Sequence, residues 1–176
     1  FAGEKIPTLE ETLALARDGF RIYVEIKEEA ASGVIPYVAA AVQAEPKATA
    51  ERIVFISFKE SSVAAVRAAL PGYEAYWLYW YNVYATNAWA LVDRLQAMDA
   101  TGFSGKNDLD VGSVSNELAA LRAAGLSAHV WTVDAADPAI AYAALGVDSL
   151  TSNCARQMLD NVHGEAVPRA WLDRYP

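Results

Sequence analysis

Six β-prone stretches recur along the chain with helical patterns between them, and this alternation most narrows what the chain can fold into. Arg21–Lys27 alternates Ile22, Val24 and Ile26 with Arg21, Tyr23, Glu25 and Lys27. Ile53–Phe58 is a continuous apolar run, and Glu74–Tyr81 is rich in β-prone aromatics. Ala100–Ser104, Ala128–Val133 and Ser149–Thr151 are shorter. Leu9, Leu13 and Ala16 share one helical face, as do Ile35, Val38 and Val42; Val63, Val66 and Leu70; Leu91 and Leu95; and Leu118 and Leu121. Thr8-Leu9-Glu10-Glu11 has the spacing of a capping box. Asp137-Pro138 predicts an N-cap and a first-turn proline, and Gly125 and Gly146 predict helix ends.

Strands alternating with helices imply parallel pairing through right-handed crossovers. Two architectures satisfy this: an open doubly wound sheet, or a TIM (β/α)8-type barrel that is incomplete in this chain. The second would hold about six βα units with the first two strands missing, since a whole barrel takes roughly 250 residues and this chain has 176. Arg21–Lys27 favours the barrel. A central strand of an open parallel sheet is usually apolar on both faces, whereas here one face carries Arg21, Tyr23, Glu25 and Lys27. No G-x-G-x-x-G or Walker-type loop follows any strand, which removes support from the common nucleotide-binding readings.

The length suits a single domain over residues 1–176, and 54% hydrophobic residues are ample for a packed core. The tail Val167–Pro176 reads as irregular. A net charge of −8 argues against sequence-independent binding to nucleic acid. No apolar run reaches the ~20 residues of a transmembrane helix. The lone Cys154 excludes an internal disulfide and leaves the compartment open.

Barrel active sites lie at the C-terminal ends of the strands. There Glu25 and Lys27, two apart on a strand, leave the same face. A carboxylate at that place suits Mg²⁺ or Ca²⁺, and an ammonium suits a phosphate or developing negative charge; the competing reading is a structural salt bridge. Trp131 walls a pocket or packs in the core. His129 reads as a hydrogen-bonded core histidine and His163 as exposed beyond the last helix. The run Tyr76–Tyr81 reads mainly as core, with an aromatic cage for a quaternary ammonium as the alternative. Lys106 reads mainly as a solvated lysine on a loop after a strand, with steering of an anionic headgroup as the alternative. Cys154 has no histidine partner in sequence, so a nucleophilic role is not expected.

The ordered set Ile6-Pro7-Thr8-Leu9-Glu10-Glu11, Val24-Glu25-Ile26-Lys27, Ile56-Ser57-Phe58, Ala124-Gly125-Leu126, His129-Val130-Trp131-Thr132-Val133-Asp134, Leu145-Gly146-Val147-Asp148 and Thr151-Ser152-Asn153 resembles the glycerophosphodiester phosphodiesterase family. The middle, Tyr73 to Val114, matches only as a βα pattern. The resemblance implies a TIM barrel that hydrolyses glycerophosphodiesters to glycerol 3-phosphate and an alcohol with a divalent cation, Mg²⁺ or Ca²⁺. It makes Glu25 a metal ligand, Lys27 the lysine near the substrate phosphate, and Phe58 and Trp131 pocket-lining aromatics. Asn153 stands where the family often has Asp and receives no role. The family's His-Arg-Gly strand, Glu-x-Asp strand and second histidine have no counterpart here. The expectation is therefore no catalytic histidine in this chain and little activity alone, with a second chain or swapped partner completing the barrel. A non-catalytic relative binding a phosphate ester or a protein is the alternative, and a different barrel lyase or phospholipase a weaker one.

Overall fold

The computed structural model describes residues 3–80, 88–107 and 111–163. The readings of Tyr81, of the tail and of the His163 side chain fall outside what is described. The chain divides into two compact units: residues 1–77 with 98–100, and residues 78–97 with 101–176.

The first unit opens with the short helix α1 (Leu9–Leu13), whose start is the predicted capping box. Glu11 N–H donates to Thr8 Oγ1 at 3.2 Å, and Thr8 N–H to Glu11 Oε2 at 2.8 Å. Strand β1 (Ile22–Glu25), helix α2 (Val34–Ala44), β2 (Ile53–Ser57), α3 (Glu60–Ala69) and β3 (Glu74–Tyr79) follow. All pairings are parallel: Glu25 lies opposite Ile56, and Ile56 opposite Tyr76. Ile53, Phe55, Ala75 and Trp77 are buried on one face together with Val63 and Val66 of α3. Burial of each large apolar side chain there contributes about 1.5–3 kcal/mol. The other face carries Tyr23 against Tyr76, with ring centroids 6.4 Å apart, and Arg21 bound to Glu74 at 2.7 Å.

The second unit contains the last residues of β3, α4 (Ala88–Ala97), β4 (Gly102–Lys106), α5 (Val111–Ala123), β5 (Ser127–Trp131), α6 (Ala136–Leu145), β6 (Ser149–Leu150) and α7 (Ala155–His163). Its strands are again parallel, with Ser104 opposite His129 and His129 opposite Ser149. Leu118 and Leu121 are buried, as are Ala128 and Val130. Gly125 and Gly146 end α5 and α6 with φ of +71° and +77°, as predicted.

The fold class is that of an incomplete TIM (β/α)8-type barrel, as the alternation predicts. Several local expectations change: β5 is Ser127–Trp131 rather than Ala128–Val133, and His163 lies within α7 rather than beyond it. β1 stops at Glu25, so Lys27 follows the strand rather than ending it. β4 lies two residues further along than Ala100–Ser104, so Lys106 ends a strand instead of standing on a loop. Asp137 lies within the first turn of α6 and makes no side-chain cap; Ala135 holds the N-cap position.

Candidate active site

Glu25 ends β1 and Lys27 stands two residues on, on the face that carries Tyr23. Continuing the register by two sets Lys27 level with Phe58, just past β2. Lys27 Nζ lies 4.0 Å from Glu25 Oε2, with 77% of the lysine side chain and 34% of the glutamate side chain exposed. Such a pair is worth at most about 1 kcal/mol. Other acidic groups of this unit are held more closely. Glu74 binds Arg21 and accepts from the Tyr76 hydroxyl. Burial, and after it Glu74, holds that hydroxyl above the usual phenol range. Glu29 binds Lys59 at 3.2 Å and accepts from Ser61 Oγ at 2.5 Å.

The segment after Lys27 is fastened by serines whose role the sequence reading missed. Ser57 Oγ donates to Ile26 O at 2.6 Å and accepts from Lys59 N–H at 3.0 Å. Ser62 Oγ donates to Glu28 O at 2.5 Å. Ser57 at the end of β2 and Ser62 in the first turn of α3 were the available signal, because hydroxyls beside element ends often bond to nearby backbone.

In the second unit Trp131 ends β5, and its Nε1 donates to Ser104 O at 3.0 Å. Its ring meets Trp80 edge to face at 5.6 Å between centroids. His129 is a core histidine, as expected. Its Nε2 lies 2.8 Å from Thr151 Oγ1, and its Nδ1 bonds Ser149 Oγ. Burial pulls its pKa down to about 4, so it is neutral at pH 7 and both ring nitrogens are engaged. Asn153 also gains a structural role. Its N–H and Nδ2 each donate to the Asp134 carboxylate at 2.8 Å, and the backbone bond leads in lowering that carboxyl's pKa. Cys154 Sγ lies 3.4 Å from Ser152 Oγ with no histidine near it among the described residues.

Glu25 and Lys27 thus come together, with Phe58 at the next strand end, and Trp131 belongs to the other unit. Glu25 offers oxygen to a hard cation. Among the described residues no group of three or more His, Cys, Asp or Glu could hold a metal ion. No helix among them is long and apolar enough to cross a membrane.

The glycerophosphoryl diester phosphodiesterase family profile matches residues 1–155. A glycerophosphodiester phosphodiesterase from Parabacteroides distasonis superposes with a TM-score of 0.70 at 21% identity, covering 92% of this chain and 66% of its own. An Oleispira antarctica phosphodiesterase, solved in complex with the product sn-glycerol-3-phosphate, gives 0.68 at 21% identity over 89% of this chain and 61% of its own. The Thermotoga maritima glycerophosphodiester phosphodiesterase gives 0.62 at 16% identity, over 89% and 64%. At these identities the likeness carries the fold, and this chain spans 61 to 66% of the length of these three proteins. No curated protein sequence matches the chain.

Proposed function

Because the chain belongs to the glycerophosphoryl diester phosphodiesterase family, we propose that Glu25 and Lys27 form one wall of a site that binds a glycerophosphodiester for hydrolysis to glycerol 3-phosphate and an alcohol. The observation that carries this reading is their loose, half-exposed placement. Among the described residues this carboxylate and ammonium form an ion pair only with each other, at 4.0 Å, while neighbouring charges are bound tightly. A salt bridge kept for stability would be closer and drier.

In this reading Lys27 donates to a phosphoryl oxygen and offsets the charge that grows there. Glu25 would offer one oxygen to Mg²⁺ or Ca²⁺, and the chemistry such an ion would supply is polarisation of the phosphoryl group. Phe58, level with Lys27 just past the next strand, walls the substrate beside it. His129 takes no part in proton transfer, because its two nitrogens are spent on Ser149 and Thr151. In the same reading a second chain or swapped partner supplies the acid and base.

Calorimetric titration tests this. The chain should bind sn-glycerol 3-phosphate, and Lys27→Ala should weaken it about tenfold, the worth of one charge-assisted hydrogen bond. Glu25→Gln should weaken Mg²⁺ or Ca²⁺ binding and leave the melting temperature unchanged. Unaltered affinities in both variants would overturn the assignment. Binding with no release of glycerol 3-phosphate even when the chain is joined to the histidine-bearing strands of a family member would favour the second reading, a non-catalytic relative. The neutral, fully engaged His129 is what recommends that alternative.

A further inference from the structure

Two lysines stand at the neighbouring ends of β1 and β2, and one of them is already neutralised. Lys27 is level with Phe58, and Lys59 is the next residue. Lys59 N–H donates to Ser57 Oγ, which donates to Ile26 O, so the Lys59 backbone stands beside the residue before Lys27. Its ammonium turns to the loop that follows Lys27, where Nζ lies 3.2 Å from Glu29 Oε1. The other Glu29 oxygen accepts from Ser61 Oγ at 2.5 Å, and that hydroxyl accepts from Ala30 N–H at 3.4 Å. Ser61, and after it Lys59, hold the Glu29 carboxyl below the usual carboxylate range, so it stays ionised. All of these residues belong to the first unit.

The Glu29 and Lys59 side chains are 57% and 43% exposed, and a pair so open adds little to stability. What it changes is the charge met by a ligand. With Lys59 matched by Glu29, the loosely held cation at these two strand ends, among the described residues, is Lys27. Exposed Glu28 adds negative charge beside it. A phosphodiester carries one negative charge, whereas a phosphomonoester carries about −1.5 to −2 at pH 7. One ammonium among carboxylates meets the first charge and leaves the second repelled. Resting on the phosphate role of Lys27 above, we propose that Glu29 is a specificity-determining residue: by occupying Lys59 it makes this wall favour the singly charged diester over the doubly charged monoester. In the hydrolysis, water adds its oxygen to phosphorus, the P–O bond to the alcohol breaks, and the alcohol leaves with a proton. The monoester keeps an additional ionisable oxygen, and the side chains here offer it no second ammonium. Glu29 thereby speeds its departure.

The test is calorimetry on the 176-residue chain with glycerophosphoglycerol and sn-glycerol 3-phosphate as probes. It is run at low ionic strength with a chelator, at about pH 8, where the monoester is doubly charged. Wild type should bind the diester about threefold more tightly. Glu29→Gln keeps an acceptor for Ser61 and releases Lys59. It should tighten the monoester about tenfold, the scale of one added charge contact near a protein surface, and the diester about threefold, so the preference disappears. In a Lys59→Gln chain the same change should tighten the monoester about threefold or less, because no ammonium is released. Equal melting temperatures confirm the fold. Weaker binding of both probes in Glu29→Gln is the mark of a merely structural residue and would overturn the proposal. So would equal gains for the two probes, the full gain without Lys59, or a wild type that prefers the monoester. Lys27→Ala separates the two ideas, because it should weaken both probes by about tenfold. That loss with an unchanged ratio in Glu29→Gln defeats only the role of Glu29. Wild-type affinities in Lys27→Ala, with Glu29→Gln still acting through Lys59, defeat the phosphate role of Lys27. No binding of either probe by any of these chains defeats both.

Discussion

At the residue scale, burial decides which charged and polar groups are at work in the fold and which are available to a ligand. His129 and Lys27 are the extremes. The histidine is 5% exposed and bonded at both ring nitrogens, and burial takes its pKa from the usual 6.5 to about 4. The unfolded chain thus takes up a proton before the folded chain does. Stability from this group is complete above pH 6.5 and is lost as pH falls toward 4, by at most about 3 kcal/mol. Urea midpoints measured across that range should fall in wild type and flatten in His129→Gln; parallel slopes would contradict the assignment. The sequence identified His129 as core because it sits mid-strand among apolar residues. Its partners Ser149, on β6, and Thr151, just past it, lie 20 and 22 residues away, and only pairing reveals them. Glu25 and Lys27 were visible as a pair by strand spacing, but their loose contact depends on where β1 ends, which spacing does not fix.

At the scale of elements, local chemistry was legible where a motif completes itself. The Thr8–Glu11 box forms because both partners lie within one turn. Gly146 closes α6 because its φ of +77° suits only a residue without a Cβ. A Cβ there would also come within 2.6 Å of Arg122 Nη2, which donates to Leu145 O and Gly146 O. Gly146→Ala should cost about 1–2 kcal/mol and lower the melting temperature by roughly 2–8 °C; an unchanged melting curve would show that the turn relaxes freely. β4 was misplaced for the opposite reason. Ser104-Gly105-Lys106-Asn107 has turn-like composition, yet pairing with β5 carries the strand through it. Gly105 fits there because a Cβ would sit 2.9 Å from the Phe103 ring. The shift is two residues, so every side chain keeps the face that the expected strand would have given it.

At the scale of the molecule, the repeating βα pattern made the fold class readable, because hydrophobic periodicity survives misjudged boundaries. How the surface behaves was less readable. In the first unit β1 is paired only with β2 among the described residues, and Ile6, Leu15 and Phe20 are exposed. An open strand edge near apolar surface favours association. Sedimentation velocity should show concentration-dependent association that the double substitution Leu15→Ser, Phe20→Ser reduces; a monomer at every concentration would refute this. The net charge of −8 makes the contacts of Lys27 sensitive to ionic strength, because nearby acidic surface competes with any anionic ligand. The serines behind Lys27 respond differently. Ser57 to Ile26 and Ser62 to Glu28 are bonds between a neutral hydroxyl and a neutral carbonyl. Neither salt nor mild acid weakens them, so the backbone that carries Lys27 stays in place when its attraction for a ligand has been screened away. Salt then acts as a reversible dimmer on affinity while leaving the architecture of the site intact.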